Sequence, residues 1–100
     1  LHKDELTGLK FENTKTNEEV IFNVDACFVA IGQVPNNERF KNVVDLDDKG
    51  YIISTDTTTK TKGIYVAGDC RTKHVRQLTT AVGDGAIAAM NAVNYINNLK

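Results

Sequence analysis

Asp69 is the residue whose type and position could do chemistry. It follows the apolar run "IYVAG" (Ile64 to Gly68), which predicts a strand that ends at a glycine. In open α/β sheets, ligands bind at the edge formed by the carboxyl ends of the strands. A carboxylate there can accept hydrogen bonds from a ligand hydroxyl, so Asp69 is a candidate polyol-binding acid. Taken alone, Gly68-Asp69 is better explained as a simple strand-to-loop turn.

The helix expected from about Arg76 to Leu99 could supply the complementary half of such a site. The first turn of a helix has unpaired backbone N–H groups and a partial positive charge, which together favour a negatively charged ligand. Its small residues would let a sheet, a cofactor or a second helix approach closely. They include Ala81, Gly83, Gly85, Ala86, Ala88 and Ala89.

Two β segments are predicted before this region. Apolar residues alternate with polar ones on both sides of "NTKTNEE", which predicts a β-hairpin from about Leu6 to Val24. The continuous apolar run "ACFVAIG" (Ala26 to Gly32) predicts a strand buried on both faces.

The middle of the chain carries turn signals. Asn36 or Asn37 could cap a short helix through Phe40 to Val43. The stretch "DLDDKGYIIS" (45–54) predicts a turn, with Gly50 at the tight position, that leads into a strand.

The final segment repeats apolar residues at spacings of three or four, which predicts a helix with these residues near one face. These residues are Leu78, Val82, Ala89, Ala92 and Ile96.

Composition excludes several classes of protein. With 100 residues, 41% hydrophobic content and a net charge of -1, the chain has room for one domain with a modest core. The near-neutral charge gives no reason to expect nucleic acid or an anionic membrane as partner. No apolar run approaches the roughly 20 residues that span a bilayer, so we expect a cytoplasmic protein.

Other reactive residues have simpler interpretations. Cys27 and Cys70 lie beside apolar runs and form no CxxC, so we expect two buried free thiols. His2 and His74 have no second ligand at useful spacing, which argues against a metal site. "DLDDKG" resembles a calcium loop only superficially, because Lys49 stands where an oxygen ligand is needed.

Three ordered segments resemble the C-terminal part of the low-molecular-weight thioredoxin reductases, which are two-domain flavin disulfide reductases. The segments are "AIGQVPN" (30–36), "GYIISTDTTTKTKGIYVAGD" (50–69) and "RQLTTAVGDGAIAA" (76–89). The resemblance covers nearly the whole chain. It implies an α/β fold: a β-rich C-terminal fragment of a three-layer, Rossmann-like FAD-binding domain with a β-hairpin and one long C-terminal helix.

The resemblance also implies a division of the chain. Residues 1–29 would be the end of an NADPH-binding domain, and residues 30–100 the C-terminal segment of the FAD-binding domain. Asp69, after Gly68, would hydrogen-bond the ribityl chain of FAD. Arg76, Gln77 and Leu78 would lie beside the isoalloxazine ring, where a helix N-terminus stabilises the negative charge of reduced flavin.

The implied parent enzyme is an FAD-dependent NADPH:thioredoxin-disulfide oxidoreductase, with thioredoxin as partner. For the chain itself we expect a homodimer or another form of self-association. Both GxGxxG fingerprints and the CxxC of the family are missing from these 100 residues, so we expect the segment alone to be inactive. Alternatives of the same fold are a ferredoxin-NADP reductase-like or a peroxiredoxin-reducing flavoprotein. A different class is a non-catalytic fragment that self-associates through exposed edges and apolar faces.

Overall fold

The computed structural model describes residues 5–100, so His2 lies outside the described part. The chain forms two compact units, Leu1–Gly32 and Gln33–Lys100, each treated separately below. The assignment of residues 1–29 to an NADPH-binding domain and 30–100 to an FAD-binding domain stays a prediction.

The first unit contains the predicted hairpin. Strands β1 (Leu9–Glu12) and β2 (Glu19–Phe22) pair antiparallel, with Phe11 opposite Val20. The Asn13 side chain supports the turn by accepting hydrogen bonds from the backbone N–H groups of Lys15 and Thr16. The hairpin prediction is confirmed, although the paired strands are shorter than the predicted range.

The predicted strand at Ala26 to Gly32 is wrong. The segment has no strand pairing, and Phe28 and Ile31 are 95% and 91% exposed. A strand buried on both faces needs a paired neighbour and cover above and below, and within residues 5–100 the only sheet consists of β1 and β2. Cys27 is therefore exposed rather than buried, while both cysteines are free as expected.

The second unit begins with a short 3-10 helix, Glu38–Phe40, preceded by Asn37. Asn37 occupies the N-cap position but makes no side-chain cap hydrogen bond. Its side chain donates instead to the carbonyl oxygens of Gly50 and Cys70, each at 2.9 Å.

The acidic turn forms as predicted. The Asp47 carboxylate accepts hydrogen bonds from the backbone N–H groups of Lys49 and Tyr51, and Gly50 adopts a φ of +86°. The predicted use of Gly50 at the tight position is therefore confirmed.

The strands predicted around Ile52 and across Ile64 to Gly68 are reduced to isolated bridges. Ile52 pairs antiparallel with Leu46 and parallel with Arg71, and Tyr65 pairs with Thr58. Two backbone hydrogen bonds form the parallel bridge. The Ile52 N–H donates to the Cys70 carbonyl oxygen, and the Thr72 N–H donates to the Ile52 carbonyl oxygen. Within residues 5–100 these segments form single bridges and no continuous ladder, and the paired strands are limited to β1 and β2.

The core of the second unit is small. Val44, Ile52 and Val66 are the buried apolar residues of the described chain, with Leu46, Ile64 and Cys70 packed partly against them. Much of the remaining apolar surface is exposed, which is the reason we expect this chain to associate with other surfaces.

Helix α1 (Leu78–Asn98) ends the chain, within two residues of the prediction at its start. The apolar side chains that share one face of the helix are largely exposed, with Leu78, Val82 and Ile96 at 83%, 69% and 54%. The inward face carries polar groups that bond to the core, including Asn91, which donates to Oγ1 of the fully buried Thr57. Within residues 5–100, no helix combines the length and apolarity needed to cross a bilayer.

Candidate functional site

The Gly68-Asp69 turn forms the centre of the candidate site. Gly68 has a φ of +87°, a conformation that side-chain-bearing residues rarely adopt, and its N–H donates to Asp84 Oδ2 at 2.9 Å. Asp69 is exposed, and none of the described residues donates a hydrogen bond to its carboxylate. The carboxylate is therefore free to accept hydrogen bonds from a ligand.

Arg76 is held beside this turn. Its Nε donates to the carbonyl oxygen of Asp69 and its Nη2 to that of Arg71, both at 3.1 Å. The guanidinium lies over the Tyr51 ring, with Cζ 3.9 Å from the ring centroid, a cation–π arrangement. Two of the predicted residues, Asp69 and Arg76, are thus brought into direct contact.

Gln77 and Leu78 mark the start of α1. Gln77 is the extended N-cap residue, and its N–H donates to Thr80 Oγ1 at 3.1 Å. The first intrahelical bond joins Ala81 N–H to the Gln77 carbonyl, so the N–H groups of Leu78 and Thr79 have no intrahelical acceptor. Both Gln77 and Leu78 are exposed and lie outside the cleft described next.

A surface cleft of about 490 Å³ adjoins Asp69. This volume falls in the range of small-molecule sites. The cleft is lined by Gln33, Val34, Pro35, Tyr51, Asp69, Cys70 and Arg76. A second, more polar cleft of about 710 Å³ shares Tyr51 and Arg76 with it.

The Asp69 carboxylate lines this cleft and could accept hydrogen bonds from the hydroxyl groups of a ligand. Within the described residues, no three His, Cys, Asp or Glu side chains are grouped so as to hold a metal ion.

Asp84 is the residue of this region that the sequence analysis did not single out. It is 6% exposed, and its carboxylate accepts hydrogen bonds from Arg71 Nε and Nη2, Lys73 Nζ and the Gly68 N–H at 2.7–2.9 Å. The Arg71 guanidinium, with Lys73 and Gly68, holds the pKa of Asp84 well below its ordinary value. The same pairing raises the pKa of Arg71.

The sequence does contain a signal for Asp84. It is the only charged residue between Arg76 and Lys100, in a helix otherwise built of small, apolar and neutral polar residues. A lone acid in such a helix needs a charged partner when buried, which points to nearby Arg and Lys residues.

Comparison with known proteins places this geometry in a family. The family model for pyridine nucleotide-disulphide oxidoreductases matches residues 2–85. The chain belongs to this family and has its α/β fold, of which the described residues form a two-stranded sheet and one long helix.

Similar proteins include reductases of known class. The chain is 42% identical over 96 residues to the thioredoxin reductase of Listeria monocytogenes, in an alignment that covers 95% of this chain and 30% of that protein. It is 39% identical over 95 residues to a component of the alkyl hydroperoxide reductase of Staphylococcus aureus, in an alignment that covers 94% of this chain and 19% of that protein.

Solved structures agree with this assignment. The crystal structure of Lactococcus lactis thioredoxin reductase matches with a TM-score of 0.76 at 34% identity, over 92% of this chain and 31% of that one. The Streptococcus pyogenes thioredoxin reductase matches with a TM-score of 0.73 at 35% identity, over 94% of this chain and 31% of that one. The chain therefore spans about 30% of the length of the thioredoxin reductases that it matches.

Proposed function

We propose that this chain is the C-terminal segment of a cytoplasmic thioredoxin reductase-like flavoprotein that passes electrons from NADPH through FAD to the disulfide of thioredoxin. The observation that carries the proposal is the exposed Asp69 carboxylate, beside a cleft and close in sequence to the N-terminus of α1. FAD, when bound, supplies the hydride chemistry, and this segment contributes binding and orientation.

Each predicted residue has a distinct part in this proposal. Asp69 accepts hydrogen bonds from the ribityl hydroxyls, and the positive φ of Gly68 turns the backbone so that Asp69 faces the cleft. Arg76 fixes the turn through the Asp69 carbonyl and packs on Tyr51. The N–H groups that begin at Leu78 offer positive charge to the electron-rich edge of the flavin.

The proposal is tested by Asp69→Ala in the full-length reductase that contains this segment. Removing the ribityl acceptor should weaken FAD binding at least tenfold, measured as flavin per polypeptide after gel filtration and as a dissociation constant. Asp48→Ala is a matched control, because Asp48 is an exposed acid outside the cleft. Unchanged flavin content in Asp69→Ala would refute the assignment.

The similarity to a component of alkyl hydroperoxide reductase favours a second candidate, a peroxiredoxin-reducing flavoprotein. The two functions differ in their electron acceptor, so steady-state NADPH oxidation with thioredoxin or with a peroxiredoxin distinguishes them. Turnover with ferredoxin alone would favour the ferredoxin-NADP reductase type instead.

A further inference from the structure

Asp84 closes a ring of hydrogen bonds around Asp69. The Asp84 Oδ2 accepts a hydrogen bond at 2.9 Å from the N–H of Gly68, the residue before Asp69. On the other side, the Asp69 carbonyl accepts from Arg76 Nε, and Arg76 Nη2 donates to the Arg71 carbonyl. Arg71 completes the ring by donating two hydrogen bonds to Asp84, from Nε to Oδ2 at 2.7 Å and from Nη2 to Oδ1 at 2.9 Å.

The ring joins two elements that are otherwise separate along the chain. Asp84 lies in the second turn of α1, whereas Gly68 to Arg71 form the loop that precedes the helix. Because the carboxylate bonds to this loop at both Gly68 and Arg71, it ties the loop that contains Asp69 to the second turn of α1. An added Cβ at Gly68 would lie 3.8 Å from Ala81 Cβ, which shows how closely the loop and the helix approach.

Asp84 is paired with two cations, Arg71 and Lys73, rather than with one. Both cations that contact it are largely buried, with the Arg71 and Lys73 side chains 11% and 8% exposed. Burying three ionised side chains carries a desolvation cost that apolar residues of similar size would avoid, whereas ionic groups can specify one geometry. The bidentate contact of Arg71 is also directional, since a planar guanidinium meets a carboxylate in one plane.

We infer that Asp84 is a positioning residue for the proposed flavin site: with Arg71 and Lys73 it holds the Asp69 turn and the N-terminus of α1 in one fixed relative geometry. This inference rests on the proposed function, because it assigns the geometry to binding of FAD. Asp84 itself is buried and does not line the cleft beside Asp69, so its effect passes through the Gly68-Asp69 turn.

Asp84→Asn in the full-length reductase tests the inference, with Asn91→Ala as the matched control. Asn91 also lies on α1 and also donates a hydrogen bond to a buried residue, Thr57, which is not part of the ring. Three quantities are measured in both variants: the FAD dissociation constant, the midpoint potential of the bound flavin, and hydrogen–deuterium exchange of the peptide covering 64–76.

For Asp84→Asn we expect FAD affinity to fall at least tenfold, exchange of the 64–76 peptide to accelerate, and the midpoint potential to become more negative. The potential shifts because a displaced helix N-terminus stabilises reduced flavin less well. Asn91→Ala should lower the unfolding temperature while changing FAD affinity less than twofold. If Asp84→Asn does not fold, Arg71→Lys removes the bidentate contact while keeping the charge, and we expect a smaller change in the same direction.

Two results would overturn the inference: equal FAD dissociation constants in the two variants, or unchanged exchange of the 64–76 peptide in Asp84→Asn. Failure of the proposed function is distinguishable. It would appear as a wild-type protein that does not bind FAD, whereas loss of FAD in Asp69→Ala but not in Asp84→Asn would refute only the positioning role.

Discussion

Asn37 Nδ2 lies 2.9 Å from the carbonyl oxygen of Cys70, although 33 residues separate the two in sequence. The same amide group donates to the Gly50 carbonyl. Through these two bonds, Asn37 links the start of the second unit to the acidic turn and to the loop that follows Asp69. The residue is only 6% exposed, so water cannot readily replace its side chain as a donor.

We therefore expect Asn37→Ala to destabilise the chain by about 2–3 kcal/mol, because two carbonyl oxygens lose their donor. Urea denaturation followed by circular dichroism measures this change. Asn36→Ala is the matched control, since Asn36 is exposed and its side chain makes no hydrogen bond with the described residues. Equal stability of the two variants would show that the Asn37 bonds contribute nothing.

Substitution by alanine should change the free energy of unfolding in opposite directions at Gly68 and Gly83. Gly68→Ala places a Cβ at a φ of +87° and should cost about 1–2 kcal/mol from backbone strain, since its nearest neighbour would be Ala81 Cβ at 3.8 Å. Gly83 is an exposed helical residue with open space around it, so Gly83→Ala should stabilise by about 1 kcal/mol. Thermal unfolding of the two variants checks the signs, and a stabilised Gly68→Ala would contradict the strained turn.

The Asp84 cluster should make stability depend on acid pH. The hydrogen bonds from Arg71, Lys73 and Gly68 lower the pKa of Asp84 in the folded state below its value of about 3.9 in the unfolded chain. Its stabilising contribution is therefore complete at pH values above this unfolded value and is lost as the pH falls below it. Pairing with Asp84 raises the pKa of Arg71, so the guanidinium stays charged throughout this range.

Unfolding free energies measured from pH 6 to pH 2 test this expectation. The wild type should lose stability below about pH 4, whereas Asp84→Asn should be less stable at pH 6 and should show a shallower decline. Parallel curves for the two proteins would mean that Asp84 titrates normally in the folded state.

The exposed apolar face of α1 should drive self-association of the isolated 100-residue chain. Leu78, Val82, Val93 and Ile96 lie on one side of the helix and are 49–83% exposed. Light scattering should give a mass that rises with concentration, and the double substitution Val82→Glu with Ile96→Glu should shift the chain toward monomer. A monomer at every concentration in the unsubstituted chain would refute the prediction.

Local sequence signals predicted the elements that depend on local physics. Hairpin alternation, the turn at Gly50 and the span of α1 follow from side-chain period, glycine conformation and helix propensity. The sequence also proposed Asp69, from its place after an apolar run, and Arg76, from the family resemblance, and their role as site residues stays a prediction. Their contact through the Asp69 carbonyl was not predicted, since it depends on how the loop folds back.

The sequence failed where burial depends on partners far along the chain. The run from Ala26 to Gly32 is apolar enough for a buried strand, but hydrophobicity cannot say whether a neighbouring strand is present to pair with it. Only the tertiary structure decided that Asp84 and Asn91 face the core, because their hydrogen-bond partners lie 11–34 residues away.

The amino-acid sequence by itself thus determined the class of fold, the family resemblance and the candidate flavin-contacting residues, through motifs whose chemistry is local. The tertiary structure decided which face of α1 is buried and how Asp69 is held, because a buried carboxylate is stable only where cations and N–H groups from distant segments converge on it. Asp84 is where that requirement is met, with Gly68, Arg71 and Lys73 gathered around one side chain.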